Sequence, residues 1–142
     1  MTKSEIKKFL MKDTFTGKLA TVKKNGSPHV VPIWFVIKEV NSRNRNRNRN
    51  RNKIGNIYFT TGRDSVKAKN IQRDDRVSIC VDDQAPPFSF VSICGNAKLI
   101  PYRQKEVLKW ATKIAERYMG RKNAEAYGER NSGEEEVLVR VR

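Results

Sequence analysis

Cysteine, histidine and long apolar runs are what this 142-residue chain has least of. Its two cysteines, Cys80 and Cys94, show no CxxC spacing, and one histidine, His29, cannot complete a set of nitrogen ligands, so no zinc site is expected. On a tight hairpin turning at residues 82–87, Cys80 falls opposite a residue near Ser89 and Cys94 lies beyond disulfide reach; both read as free, buried thiols. His29 has no Ser, Cys or Asp at motif spacing and reads as a packed or surface side chain. No catalytic triad or paired-carboxylate pattern occurs either. No stretch approaches the ~20 apolar residues of a membrane helix. The lysine-rich N-terminus lacks the apolar core of a secretion signal, so a soluble cytoplasmic protein is expected.

Acidic residues are also scarce: 30 Lys and Arg face 15 Asp and Glu, a net charge of +15. A field of that size favours anionic ligands or non-specific nucleic-acid contact and says nothing of fold. A third of the excess lies in Arg43, Arg45, Arg47, Arg49 and Arg51, which alternate with asparagine. Such a tract has no apolar face to bury, so residues 41–53 read as a disordered low-complexity loop insertion. The functional alternative is a weak nucleic-acid arm, because arginine forks suit phosphates, although no aromatic residue interrupts the tract to stack on bases.

The remainder fits one domain over residues 1–142. Residues 5–12 place Ile6, Phe9 and Leu10 on one side of a short helix. Residues 19–23 and 30–37 read as a strand pair turning at Asn25-Gly26. The return strand is apolar on both faces, so a helix, a ligand or another subunit should cover the second; Pro32 within it implies an edge position or a bulge. Ile57-Tyr58-Phe59-Thr60-Thr61 is a further strand, and Val77, Ile79 and Val81 mark another. Residues 88–100 form a long strand with Gly95 at a bulge or bend. Val107, Leu108, Trp110, Ala111, Ile114, Ala115 and Tyr118 make a broad helical stripe over residues 103–119. A polar stretch containing Gly120, Gly128 and Gly133 leads to a last strand at Val137, Val139 and Val141, and ending there implies a longer natural chain. The fold is therefore mainly β with flanking helices, about six antiparallel strands closing into a small barrel that hides its edges.

Between Thr60-Thr61-Gly62 and Ser65-Val66-Lys67-Ala68-Lys69-Asn70-Ile71 a strand pattern gives way to a basic helix. Unpaired amides at a helix start attract anions, which makes this junction a candidate phosphate seat. The alternative is an ordinary turn in which Asp64 or Ser65 caps the helix and the lysines are solvated.

With these residues in hand, the chain resembles the FMN-binding split-barrel family related to pyridoxamine 5'-phosphate oxidase, especially its small deazaflavin-dependent oxidoreductases. The resemblance rests on Gly17-Lys18-Leu19-Ala20-Thr21-Val22, Gly26-Ser27-Pro28-His29-Val30-Val31-Pro32-Ile33-Trp34-Phe35, Ile57-Tyr58-Phe59-Thr60-Thr61-Gly62, the segments at 65–70, 73–83 and 86–90, and Arg117-Tyr118-Met119-Gly120. It implies a six-stranded split barrel, a homodimer with cofactor grooves at the interface, and an oxidoreductase using FMN or coenzyme F420. Carried over by position, Pro32, Ile33 and Trp34 lie against the ring, Thr60 and Thr61 bond the ribityl or phosphate end, and Ser65 with Lys67 holds the phosphate. FMN-using relatives often carry an arginine where this chain has Val31 and Pro32, which keeps a deazaflavin open. The contrasting class is a non-enzymatic flavin-binding or basic nucleic-acid-binding module on the same barrel.

Excising residues 43–52 and rejoining with a short turn is expected to leave the melting temperature within a degree or two of the parent, because loop closure costs only ~0.6 kcal/mol per doubling of length. Thermal unfolding of both chains checks it, and a drop of several degrees contradicts the loop reading.

Overall fold

A computed structural model describes residues 1–39 and 54–142; the expected loop at 41–53 lies outside the described residues. In chain order the elements are α1 (Lys3–Leu10), β1 (Gly17–Val22), β2 (Pro28–Ile33), β3 (Val36–Lys38), β4 (Asn56–Gly62), α2 (Val66–Arg73), β5 (Arg76–Asp82), β6 (Phe90–Ile100), α3 (Gln104–Met119), α4 (Arg121–Arg130) and β7 (Glu136–Val141).

Several elements follow directly from local chemistry. Thr2 and Glu5 form a reciprocal capping box at the start of α1: the Glu5 amide donates to the Thr2 hydroxyl at 3.2 Å and the Thr2 amide to the Glu5 carboxylate at 2.6 Å. The Asn25-Gly26 turn forms as read, with Gly26 at φ +85° and the Lys23 amide donating to the Ser27 carbonyl at 2.9 Å.

The described residues form one antiparallel sheet in the order β2-β1-β5-β6-β7-β4-β3, with seven strands where six were expected. The extra strand comes from residues 30–37, read as continuous. Ile33 still pairs with Gly17 of β1, but Val36 pairs with Tyr58 of β4, so the chain changes partners across Trp34 and Phe35. The run is apolar throughout, and no polarity change in the sequence marks the break. β2 and β3 are the two ends of the sheet order yet are joined by only two residues. The sheet must therefore curl until its edges approach, which makes a split barrel. Pro32 lies on the terminal strand β2, where its missing N–H leaves no ladder bond unmade.

The barrel interior is packed by Leu19, Ile33, Phe35, Ile57, Phe59, Val77, Ile79, Val81, Val139 and Val141, with Leu10 from α1 and Ile71 from α2 added to it. A second core lies outside the barrel, where α3 sets Val107, Trp110 and Ile114 on Val36 and Leu138. There Trp110 stacks on Tyr58 with centroids 4.0 Å apart and planes 10° from parallel. Each such side chain contributes about 1.5–3 kcal/mol on burial.

The break in the strand is held by the end of α3. Arg117 donates to the carbonyl of Phe35 at 2.7 Å and of Leu10 at 2.8 Å, with its Nε donating to the Asp13 carbonyl at 3.2 Å. The Tyr118 hydroxyl donates to the Phe15 carbonyl at 2.9 Å and accepts from the Phe35 amide at 3.2 Å. The polar groups that the interrupted ladder leaves open, and the last carbonyls of α1, thus share one partner pair. Burial pushes the Arg117 guanidinium below its ordinary value, with Tyr118 opposing.

Three further expectations are corrected. Gly95 makes no bulge: it pairs with Val77 in unbroken register, and a Cβ there would lie 2.4 Å from the Arg142 carbonyl oxygen, so close backbone approach explains the glycine. The polar stretch before the last strand contains helix α4, whose Gly128 packs on α3 so tightly that a Cβ would meet Thr112 Oγ1 at 2.2 Å. The 82–87 turn is longer than read, so Cys80 sits opposite Ser92 and Cys94 opposite Ser78; both thiols are free, but Cys94 is exposed and Cys80 half-buried rather than buried.

Arg117→Ala is expected to cost about 3 kcal/mol, the loss of charge-assisted bonds plus the carbonyls left unmet, and Arg117→Lys most of that, because an ammonium cannot fork to three carbonyls. Urea unfolding midpoints at constant slope measure both.

Candidate functional site

Where β2 and β3 part, the sheet leaves an open cleft of about 280 Å³ between the strand break, β4, the start of α2 and the flank of α3. Its lining includes Pro32, Ile33 and Trp34 from the break, Thr60, Thr61 and Gly62 from β4, and Lys67 from α2. Six of the seven residues singled out in the sequence, drawn from three separate elements, share this cleft.

Trp34 is 38% exposed, unusual for an indole, and is held by Tyr118, on which it stacks with centroids 5.0 Å apart and planes 5° from parallel. The same tyrosine that secures the strand break therefore fixes the aromatic wall. Thr60 is half-buried and Thr61 buried. The Thr61 hydroxyl lies 3.2 Å from that of Ser65. Ser65 itself does not line the cleft: it is the N-cap of α2, accepting the Ala68 amide at 3.2 Å. Asn70, 1% exposed, anchors the helix by donating to Thr21 Oγ1 on β1 at 3.0 Å while accepting from Arg73 at 2.8 Å. With α2 so fixed, Lys67 projects into the cleft and Lys69 is exposed outside it.

Sequence reasoning missed four lining residues: Ala111 and Ile114 on α3, Asn131 after α4, and Glu136 at the start of β7. The α3 pair belonged to a stripe that read as core. Glu136 reaches the cleft because β7 pairs with β4, setting it opposite Gly62, a residue with no side chain to screen it. Lys67 is half-buried, and among the described residues no carboxylate lies within 4.0 Å of its ammonium. Burial pushes Lys67 below the usual lysine range, and the negative charge of Glu136 opposes that. Burial likewise raises the Glu136 carboxyl, Glu135 raises it further and Lys67 pulls it back. The cleft is thus lined by an apolar strand break and an indole together with hydroxyls and a partly offset cation.

A family model for pyridoxamine 5'-phosphate oxidase matches residues 2–141. The chain belongs to the pyridoxamine 5'-phosphate oxidase family. Solved structures agree on the fold. A conserved hypothetical protein from Mycobacterium tuberculosis is 25% identical with a TM-score of 0.77, the match covering 100% of this chain and 80% of that one. An F420 reductase is 20% identical at a TM-score of 0.65, covering 95% and 90%. The heme storage protein HutZ from Vibrio cholerae is 17% identical at 0.68, covering 98% and 87%. No curated protein matches the sequence. The barrel is therefore shared among proteins of different stated ligands.

The raised Glu136 carboxyl gives a pH signature. The folded chain holds its proton more tightly than the unfolded chain does. Its stabilising share is present below about pH 4.5 and is lost as pH rises through the elevated folded value. Glu136→Gln removes this dependence, and the attraction between ionised Glu136 and Lys67 is already contained in the net upward shift. The melting temperature of Glu136→Gln relative to the parent is therefore expected to climb between pH 4.5 and 7. Thermal scans across that range test it, and a flat or falling difference contradicts the assignment.

Proposed function

We propose that this cleft holds a flavin-type cofactor, FMN or coenzyme F420, and that the chain is an oxidoreductase exchanging a hydride between that cofactor and a small molecule. The observation that carries the reading is the mixed lining of the cleft: a fixed indole and an apolar strand break together with Thr60, Thr61 and Lys67. A flat ring joined by a polyol to a phosphate offers the matching set of groups. When bound, the cofactor supplies hydride transfer at its ring. The chain supplies the rest. Tyr118 keeps Trp34 from rotating away, the threonine hydroxyls bond the polyol or phosphate oxygens, and Lys67 donates to the phosphate.

Charge favours the deazaflavin of the two. Lys67 is the only cation lining the cleft among the described residues, and Glu136 offsets part of it. Such a seat suits a singly charged phosphodiester, as in F420, better than the dianionic monoester of FMN. A heme reading has less support, because among the described residues the lining contains no His, Cys, Met or Tyr to ligate iron.

A homodimer completes the reading. On the outer face of β2, β1, β5 and β6, Val30 and Phe90 are 61% and 63% exposed, with small side chains such as Ala20, Ser78, Ser92 and Cys94 between them. An apolar face of this kind on a small barrel is covered most simply by its own copy. Light scattering that shows a monomer at micromolar concentration contradicts it.

Mass and absorbance spectra of the molecule retained on purification test the cofactor directly, and bleaching by a reduced nicotinamide separates a reductase from a flavin-binding protein. In fluorescence titrations at matched salt, Lys67→Ala is expected to weaken F420 or FMN binding by about 1.5–3 kcal/mol, the range for a bond to a charged group. Lys69→Ala, outside the cleft, serves as control. Equal affinity of Lys67→Ala and the parent overturns the phosphate seat.

A further inference from the structure

Away from the cleft, the outer face beneath α3 gathers positive charge that no ion pair among the described residues neutralises. Val36, Tyr58, Arg140 and Lys98 lie directly opposite one another across β3, β4, β7 and β6, so their side chains share one face, and Lys38 follows Val36 on it. Lys109 and Lys113, one turn apart on α3, approach the same place. The ammonium groups of Lys38, Lys109 and Lys113 lie 5.5, 5.7 and 5.0 Å from the centroid of one ring, that of Trp110. Among the described residues no carboxylate is within 4.0 Å of Lys38, Lys98, Lys109, Lys113 or Arg140. Residues 40–53 contain no Asp or Glu at all. On α3, Glu106 lies three residues before Lys109 and makes no ion pair among the described residues, and Glu116 lies three after Lys113 and pairs with Arg121 at 3.3 Å.

Three like charges around one indole repel one another, and the ring's negative face offsets only part of that. Arg140 adds to this charge, and its Nε is buried with no hydrogen-bond partner among the described residues. An unmet buried donor costs about 1–3 kcal/mol, more when charged, unless something accepts from it.

We infer that this face, formed by Lys38, Lys98, Lys109, Lys113 and Arg140, binds the phosphate backbone of a nucleic acid. The pattern fits a linear polyanion better than a point anion. The four-strand row spans about 14 Å at ~4.8 Å per strand, whereas a small anion takes one or two cations. Trp110 is only 4% exposed and already stacked on Tyr58, so it offers no free face to a base, and contact is with phosphates and independent of sequence. The chain's net charge of +15 draws such a partner from a distance.

The test is anisotropy of a labelled 20-nucleotide single strand titrated with the full chain from 50 to 300 mM KCl. Lys38→Gln/Lys109→Gln/Lys113→Gln is expected to bind about tenfold or more weakly at 100 mM salt and to lose about 2 from the salt slope, at ~0.7 per phosphate contact. Relief of mutual repulsion leaves its melting temperature unchanged or raised, so a loss of binding is not a loss of fold. Lys23→Gln/Lys24→Gln/Lys122→Gln removes equal charge elsewhere and is expected to change affinity less than threefold. The same contrast is expected in a background lacking residues 43–52. Equal losses in the two triple variants overturn the proposal in favour of a general field. Polyglutamate of matched charge bound as tightly as the oligonucleotide, with the same dependence on these lysines, overturns it in favour of an acidic protein partner.

Discussion

The architecture depends on how one broken strand is held. A seven-stranded sheet whose two ends are consecutive in the chain closes only if the chain can pass from one edge to the other without leaving buried backbone groups unpaired. Arg117 and Tyr118 meet that condition from outside the sheet. The guanidinium serves the carbonyls of Phe35, Leu10 and Asp13, and the tyrosine hydroxyl bridges Phe15 and the Phe35 amide. Among the described residues Arg117 has no acidic partner there. Its charge is stabilised by carbonyl dipoles and by the rings of Phe35 and Tyr118, whose centroids lie 4.7 and 4.9 Å from the guanidinium carbon. A lysine offers no such fork, which ties the choice of residue to the topology.

The same contact ties fold to site. Tyr118 bonds Phe15 and Phe35 with its hydroxyl and presents its ring to Trp34, so the side chain that lets the barrel split also sets the wall of the cleft opened by the split. α2 is positioned in a comparable way by a buried polar contact, Asn70 to Thr21, that ties the middle of the helix to the sheet. Both walls of the cleft are thus referred to the barrel through direct side-chain hydrogen bonds.

Much of this was legible in the sequence, for identifiable reasons. Asn25-Gly26, the alternation at Val77, Ile79 and Val81 and the stripe on α3 obey single periodicities that local chemistry dictates. The residues of the cleft were legible because the motif segments carrying Pro32 to Trp34, Thr60, Thr61 and Lys67 are each short and continuous. Three things were not. The break at Trp34 and Phe35 is a change of partner within an unbroken apolar run, which no period records. Helix α4 was hidden by Gly120 and Gly128, which read as loop punctuation although Gly128 serves close helix packing against Thr112. Glu136 enters the cleft only through the pairing of β7 with β4, a relation between segments more than 70 residues apart in sequence.

The distribution of charge separates long-range attraction from local binding. The chain carries +15, yet the cleft holds one lysine partly offset by one glutamate, while Lys38, Lys98, Lys109, Lys113 and Arg140 crowd an outer face without a counter-charge. Exposed charges are screened within a Debye length of about 8–10 Å at physiological salt, whereas a half-buried pair is screened far less. Salt therefore acts on the two surfaces differently. It weakens whatever the outer face attracts and leaves affinity in the cleft largely to hydroxyls, one ammonium and a fixed indole. A cleft near neutrality also discriminates by shape and by the number of charges on the ligand, which a strongly cationic pocket would not do. On a barrel shared by proteins of unlike stated ligands, that local near-neutrality distinguishes this cleft more than the fold or the overall charge does.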